Sequence, residues 1–200
     1  MRQKIGLFGG AFDPPHRTHV ALAQAAVEQL GLDVLHVVPT GHAWHKQREL
    51  TLAEHRLAMC RLAFADVPRT VVDTREMQRS GPTYTIDTLH ELQAEYPLAQ
   101  LFLIMGEDQA RALQSWHRAE DLGRAAIICV ASRSESVAAA SPNPDSPKPL
   151  GIALQRLQMP TSPLNATAVR DLVAHGQGVS TLVFESVARY IDQHHLYQAA

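Results

Sequence analysis

Two stretches of the chain, Leu101-Phe102-Leu103-Ile104-Met105 and Ala126-Ile127-Ile128-Cys129-Val130-Ala131, carry no charged or strongly polar side chain. Successive side chains of a β-strand point to opposite faces, so strands of this kind have no face to give to water and must be covered on both sides. The same reading makes Ile5-Gly6-Leu7-Phe8 a first strand running into Gly9-Gly10, Val34 to Val38 a second that ends at Pro39, and Thr70 to Val72 a short third. Helical patterns lie between these runs. Val20, Ala23, Val27 and Leu30 share one face ahead of Gly31, and Thr51-Leu52-Ala53-Glu54 has capping-box spacing in front of an apolar helix through Phe64. Thr85 is placed to cap a helix carrying Leu89, Leu92 and Tyr96, and another helix is expected from about Gln109. Strands alternating with helices predict an α/β fold, a Rossmann-like doubly wound parallel sheet with helices on both faces.

The 200 residues suit a single domain, 1–200. From Ser132 to Pro149 the composition turns to Ser, Pro and Ala without a period, which predicts a long mobile loop over 132–149. A helical C-terminal part over 164–200 follows. Asn165 suits the N-cap of a helix ending near Gly176, and Val183, Val187, Tyr190 and Ile191 have helical spacing in a last helix.

Eighteen Lys and Arg against 20 Asp and Glu leave a formal charge of −2, so an anion must be held by local placement and not by a global field. This argues against a nucleic-acid partner. The first residues run into Gly9-Gly10 before any signal-peptide core can form, and no segment approaches membrane-spanning length, so no membrane partner is expected. Cys60 and Cys129 sit in separate apolar runs, which suits reduced core thiols and a cytoplasmic address.

In an open parallel sheet the ligand crevice lies beyond the carboxyl ends of the strands. The first loop there, Gly9-Gly10-Ala11-Phe12-Asp13-Pro14-Pro15-His16-Arg17-Thr18-His19, brings glycines that let backbone approach a ligand. It also sets two histidines three apart at a helix start, where imidazoles and exposed N–H groups together favour an anion such as a nucleotide phosphate. Neither GxxxxGK[ST] nor GxGxxG is present. His42 and His45 repeat the spacing after the second strand, so a four-histidine metal site is an alternative, without acidic or cysteine company to support it; no protein metal site is expected.

The segment GGAFDPPHRTH after a first strand resembles the signature of the bacterial nicotinate mononucleotide adenylyltransferase family, within the nucleotidyltransferases that carry an HxGH-type motif. The resemblance extends over nearly the whole chain. Gly81-Pro82-Thr83-Tyr84-Thr85, then Gly106-Glu107-Asp108 with Trp116, then Asn165-Ala166-Thr167-Ala168-Val169-Arg170 follow in the family's order, the last resembling its ISxTxxR motif. Thr18 stands where the family often has Gly, and Asn165 where it often has Ser.

The resemblance implies transfer of AMP from ATP to nicotinate mononucleotide, giving nicotinate adenine dinucleotide and pyrophosphate by in-line displacement. It assigns His16, His19, Lys46 and Arg170 to catalysis, the histidines as donors to the phosphates and the two cations as charge neutralisers. Gly9, Gly10, Phe12, Asp13, His45, Arg133, Asn165 and Thr167 fall to ATP. Thr83, Tyr84, Thr85, Gly106, Asp108 and Trp116 fall to nicotinate mononucleotide, with Asp108 at a ribose, Trp116 as a flat apolar surface and the Thr83–Thr85 backbone as an anion site for the carboxylate. Mg²⁺ is expected on the ATP phosphates. Another acceptor, nicotinamide mononucleotide or phosphopantetheine, is the rival reading within the fold. A non-catalytic nucleotide- or metal-binding regulator is the rival outside enzymes.

Overall fold

The computed structural model describes residues 2–41, 49–132, 154–159 and 164–199. His42, His45, Lys46 and Arg133 lie outside the described residues, as does the expected loop beyond Ser132.

Six strands, β1 (Lys4–Gly10), β2 (Val34–Pro39), β3 (Thr70–Val72), β4 (Gln100–Met105), β5 (Ile127–Ser132) and β6 (Leu154–Gln158), form one sheet in the order β3-β2-β1-β4-β5-β6. All pairings are parallel. The helices are α1 (Arg17–Leu30), α2 (Ala53–Phe64), α3 (Arg75–Gln78), α4 (Thr85–Glu95), α5 (Glu107–Ala112), α6 (Ala119–Ala125), α7 (Ala166–Ala174) and α8 (Glu185–Gln193), with a 3₁₀ turn at Leu113–Ser115.

The apolar strands do cover two faces. Phe8, Leu35, Phe102, Ile104 and Cys129 join the buried residues of α1, α2, α7 and α8 on one side. Their neighbours Leu7, Leu101, Leu103, Ile128 and Val130 join Ile86, Leu89 and Leu92 of α4 and Leu122 of α6 on the other. Cys60 and Cys129 are buried free thiols, and burial pushes the Cys129 thiol up to about 12. Among the described residues no helix is long and apolar enough to cross a membrane.

The order of the sheet reverses between β1 and β4. There β1 stays paired with β2 as far as Gly10↔Pro39, while its pairing with β4 stops at Phe8↔Ile104. Past that register the loops after β1 and β4 part, and a crevice opens where a ligand of a doubly wound sheet is expected.

Several local expectations are corrected. Leu52 and not Thr51 stands at the N-cap of α2, because Thr51 gives its N–H to Asp13 (3.3 Å) and its carbonyl to Arg56 (2.9 Å). Thr85 is the first residue of α4, behind Tyr84 at the cap. The helix expected from Gln109 is three pieces, α5, the 3₁₀ turn and α6, with Arg118 in a left-handed conformation (φ 52°) before the last. Strand β6 and the short α3 had no sequence signal: β6 is a polar edge segment, Leu-Gln-Arg-Leu-Gln, that buries only Leu157.

Candidate active site

A parallel sheet sends each strand into a connection whose helix starts at the strand's carboxyl end, so helix N-termini gather on one side. In this molecule the starts of four helices face one cavity of about 650 Å³. They are His16, Thr18 and His19 of α1, Thr83–Thr85 of α4, Gly106–Asp108 of α5 and Asn165–Thr167 of α7. Exposed N–H groups and the positive ends of the helix dipoles make such a convergence attractive to anions. Every predicted site residue within the described residues lines this cavity: Gly9, Gly10, Phe12, Asp13, His16, His19, Thr83, Tyr84, Thr85, Gly106, Asp108, Trp116, Asn165, Thr167 and Arg170.

The loop after β1 owes its shape to its aromatic residue. Phe12 is buried with φ 46°, a left-handed conformation that costs a non-glycine residue on the order of 1 kcal/mol or more. Packing offsets this cost. The Phe12 ring lies edge-on to Phe8 (5.3 Å), Phe64 (5.7 Å) and His19 (5.0 Å). A side chain at Gly10 would press on that ring at 3.0 Å, whereas one at Gly9 would meet nothing within 4 Å. Gly9 thus leaves free space on the cavity side of the strand, where a ligand can approach the backbone.

His16 is the N-cap of α1, and its backbone N–H donates to Nδ1 of His19 at 3.2 Å. Because that nitrogen accepts, the proton of a neutral His19 ring sits on Nε2, as a donor. The His16 ring stacks on His19 and is buried. Burial lowers its pKa to about 4, so it is a neutral imidazole at pH 7.

Arg170 reaches back from α7 to the loop after β1. One guanidinium nitrogen donates to the Asp13 carbonyl (2.8 Å) and another to the Thr167 hydroxyl (3.0 Å), which fixes the planar fork at the cavity wall. Asn165 caps α7 as expected, accepting the Ala168 N–H at 2.9 Å. Asp13 also lines the cavity, and its carboxylate accepts from the Tyr197 hydroxyl (2.7 Å) and the Thr51 N–H (3.3 Å), which ties the loop after β1 to the tail and to the start of α2.

Trp116, also on the cavity wall, is half-buried after the 3₁₀ turn and packs against the α4 side of the core. The neighbouring Tyr84 ring stacks on His117 at 4.1 Å. Asp108 is largely exposed and pairs with Arg111 at 3.0 Å.

Three supporting residues had no sequence signal. Arg56 reads as a solvated helix charge, yet it is 2 % exposed and donates to the carbonyls of Ala11 (3.0 Å), Thr40 (2.8 Å) and Thr51 (2.9 Å), tying the loops after β1 and β2 to the start of α2. Glu76 is buried on the cavity wall, where burial raises its pKa while Thr88 donates to it at 2.9 Å. His117 reads as an ordinary polar residue beside Trp116.

Residues 7–172 match the family model described as Cytidylyltransferase-like. The chain is 53% identical over 198 residues to a protein of Albidiferax ferrireducens named "Probable nicotinate-nucleotide adenylyltransferase", covering 99% of this chain and 100% of that one. It is 38% identical over 201 residues to a protein of the same name from Neisseria meningitidis serogroup B, covering 98% and 99%. Its fold is similar to that of Plasmodium falciparum nicotinic acid mononucleotide adenylyltransferase in complex with NaAD, with a TM-score of 0.79, 17% identity and 98% of each chain covered.

Proposed function

Since the chain belongs to the nicotinate-nucleotide adenylyltransferases of the cytidylyltransferase-like family, we infer that it transfers AMP from ATP to nicotinate mononucleotide, releasing pyrophosphate and forming nicotinate adenine dinucleotide. The observation that carries this reading is the convergence of four helix N-termini on one cavity, with His16, His19, Arg170 and Trp116 all on its wall. The helix starts, imidazoles and guanidinium suit a triphosphate, and the indole suits a flat aromatic ring.

The reaction needs no protein nucleophile. An oxygen of the mononucleotide phosphate attacks the α-phosphorus of ATP, the bond from that phosphorus to the β-phosphate oxygen breaks, and its electron pair leaves with pyrophosphate. The protein's part is alignment and charge stabilisation. His19, whose Nδ1 accepts the His16 N–H, acts as an Nε2–H donor toward a non-bridging phosphate oxygen, and neutral His16 adds a ring nitrogen without a standing charge. Arg170, held on Asp13 and Thr167, brings its guanidinium charge to the triphosphate. Lys46 and His45, with Arg133, complete our phosphate and adenine assignments. Gly9 leaves room for the nucleotide beside the strand, Gly10 makes way for the Phe12 ring that shapes the ATP loop, and Asn165 and Thr167 present the start of α7.

Guanidinium and backbone N–H groups on this wall, with the N–H of His19, bind phosphate oxygens, which suits a Mg²⁺ that enters on ATP. When bound, that ion would neutralise developing charge on the phosphates. For the acceptor, the half-buried Trp116 offers a stacking face for nicotinate, and the backbone N–H groups at the start of α4 offer a site for its carboxylate. Thr83, Tyr84, Thr85, Gly106 and Asp108 form the rest of that assignment. Buried free thiols suit a reducing compartment, and we place the reaction in the cytoplasm.

Pyrophosphate release from ATP and Mg²⁺ tests the reading with nicotinate mononucleotide, nicotinamide mononucleotide and phosphopantetheine as parallel acceptors. The acid should exceed the amide by about 100-fold in kcat/KM, because a site built for a charge is left unpaired without it. Equal rates with acid and amide would remove the carboxylate assignment, and release with phosphopantetheine alone would overturn the acceptor.

A further inference from the structure

We propose that Tyr197, in the tail beyond α8, is a positioning residue for ATP, acting through Asp13 on the loop after β1 and on Arg170. The proposal rests on the assignment of Arg170 to the triphosphate made above. Tyr197 is not among the residues that line the cavity, and 184 positions separate it from Asp13.

The tail is built to deliver this hydroxyl. After α8, His195 and Tyr197 both take left-handed conformations (φ 50° and 63°), and the N–H of Leu196 returns to the Ile191 carbonyl at 3.0 Å. Two non-glycine residues in that region bend the chain sharply back, a conformation that persists only when its surroundings hold it. Leu196 and Tyr197 pack against the core on the α1 side. The phenol then donates to Asp13 Oδ1 at 2.7 Å, while Oδ2 accepts the Thr51 N–H at 3.3 Å.

Asp13 is 2 % exposed, so its carboxylate depends on such donors. Held from both oxygens, the residue presents its carbonyl to Arg170 at 2.8 Å. Without the phenol the buried carboxylate would lose a donor and turn to recover one, and the carbonyl attached to the same residue would move with it. Arg170 and the neighbouring start of α1 would then lose their register toward the phosphates. Burial and the adjacent Asp13 raise the Tyr197 pKa, which keeps the hydroxyl a donor at every working pH.

A second clamp runs from the same end of the chain to the same loop. The Arg17 N–H donates to the Leu182 carbonyl (3.0 Å), its guanidinium to the Ser180 carbonyl (3.1 Å), and the guanidinium also lies over the Phe184 ring at 4.8 Å. The C-terminal part therefore grips both sides of His16, at Asp13 and at Arg17.

The test is Tyr197→Phe in the full chain, with a non-hydrolysable ATP analogue titrated by calorimetry and steady-state constants measured for both substrates. The expected result is an analogue affinity weaker by about tenfold, the loss of a hydrogen bond to a charged group, with the KM for nicotinate mononucleotide within about twofold of wild type. In an Arg170→Lys background the same substitution should cost less than about twofold, since both act through one path. Unchanged analogue affinity, a loss shared equally by both substrates, or full additivity with Arg170→Lys would each overturn the proposal, the second because it marks a general loss of fold. A wild-type chain that binds the analogue but ignores nicotinate mononucleotide would instead refute the acceptor assignment.

Discussion

The imidazoles of His16 and His19 stack with centroids 3.7 Å apart and planes 26° from parallel, and the backbone N–H of the first donates to Nδ1 of the second. The helix start thereby fixes which nitrogen of His19 carries the proton before any ligand arrives. A donor set in this way costs no reorganisation when charge develops on a phosphate.

His19→Ala should therefore lower kcat by about 100-fold while leaving the KM for ATP within a few-fold, because the lost interaction strengthens in the transition state. Steady-state pyrophosphate release reads this directly. A large rise in KM at unchanged kcat would mean that the ring only anchors the ground state.

Burial lowers the His16 pKa from 6.5 to about 4, and this makes stability depend on pH. Between those values the unfolded chain takes up a proton at this residue that the folded chain refuses, so the contribution is present above about 6.5 and is lost as pH falls toward 4. Melting temperatures of wild type and His16→Asn should converge across this interval, the variant losing less on acidification. Parallel curves would show that His16 does not carry the dependence.

Trp116→Ala should raise the KM for nicotinate mononucleotide by about tenfold or more and the KM for ATP by much less, as expected when one aromatic stacking surface serves one substrate. Equal effects on the two constants would place the ring outside the acceptor pocket.

Arg56→Met removes donors from three carbonyls at a 2 % exposed position, and should destabilise the fold by about 3 kcal/mol, since each buried acceptor left unmade costs about 1–3 kcal/mol. Denaturant unfolding measures it. A cost below about 1 kcal/mol would mean that water replaces the guanidinium.

The strands of the sheet interior and the loop of GGAFDPPHRTH were legible because their signals are local. An apolar pentapeptide such as Leu101 to Met105 has no exposed face in any parallel sheet, and Asn165 caps its own helix three residues on. Strand β6 was not legible. It lies at the edge, pairs by backbone with β5, and buries only Leu157, so its side chains carry no period. Arg56 and Tyr197 were invisible for a related reason: a charge on a helix and a phenol in a tail look solvated until distant loops close around them.

The sequence alone determined the alternation of strand and helix, the two-sided burial of the sheet and the residue types at the mouth of each strand, all of which follow from spacings of a few residues. Only the tertiary structure decided that the starts of α1, α4, α5 and α7 meet at one cavity. It also decided that Asp13 accepts from Tyr197 and Thr51, and that a buried Arg56 joins the loops after β1 and β2. The physical reason is that buried polar groups must be satisfied by whatever the closed chain brings within hydrogen-bond distance, and that partner is set by topology and not by neighbouring sequence.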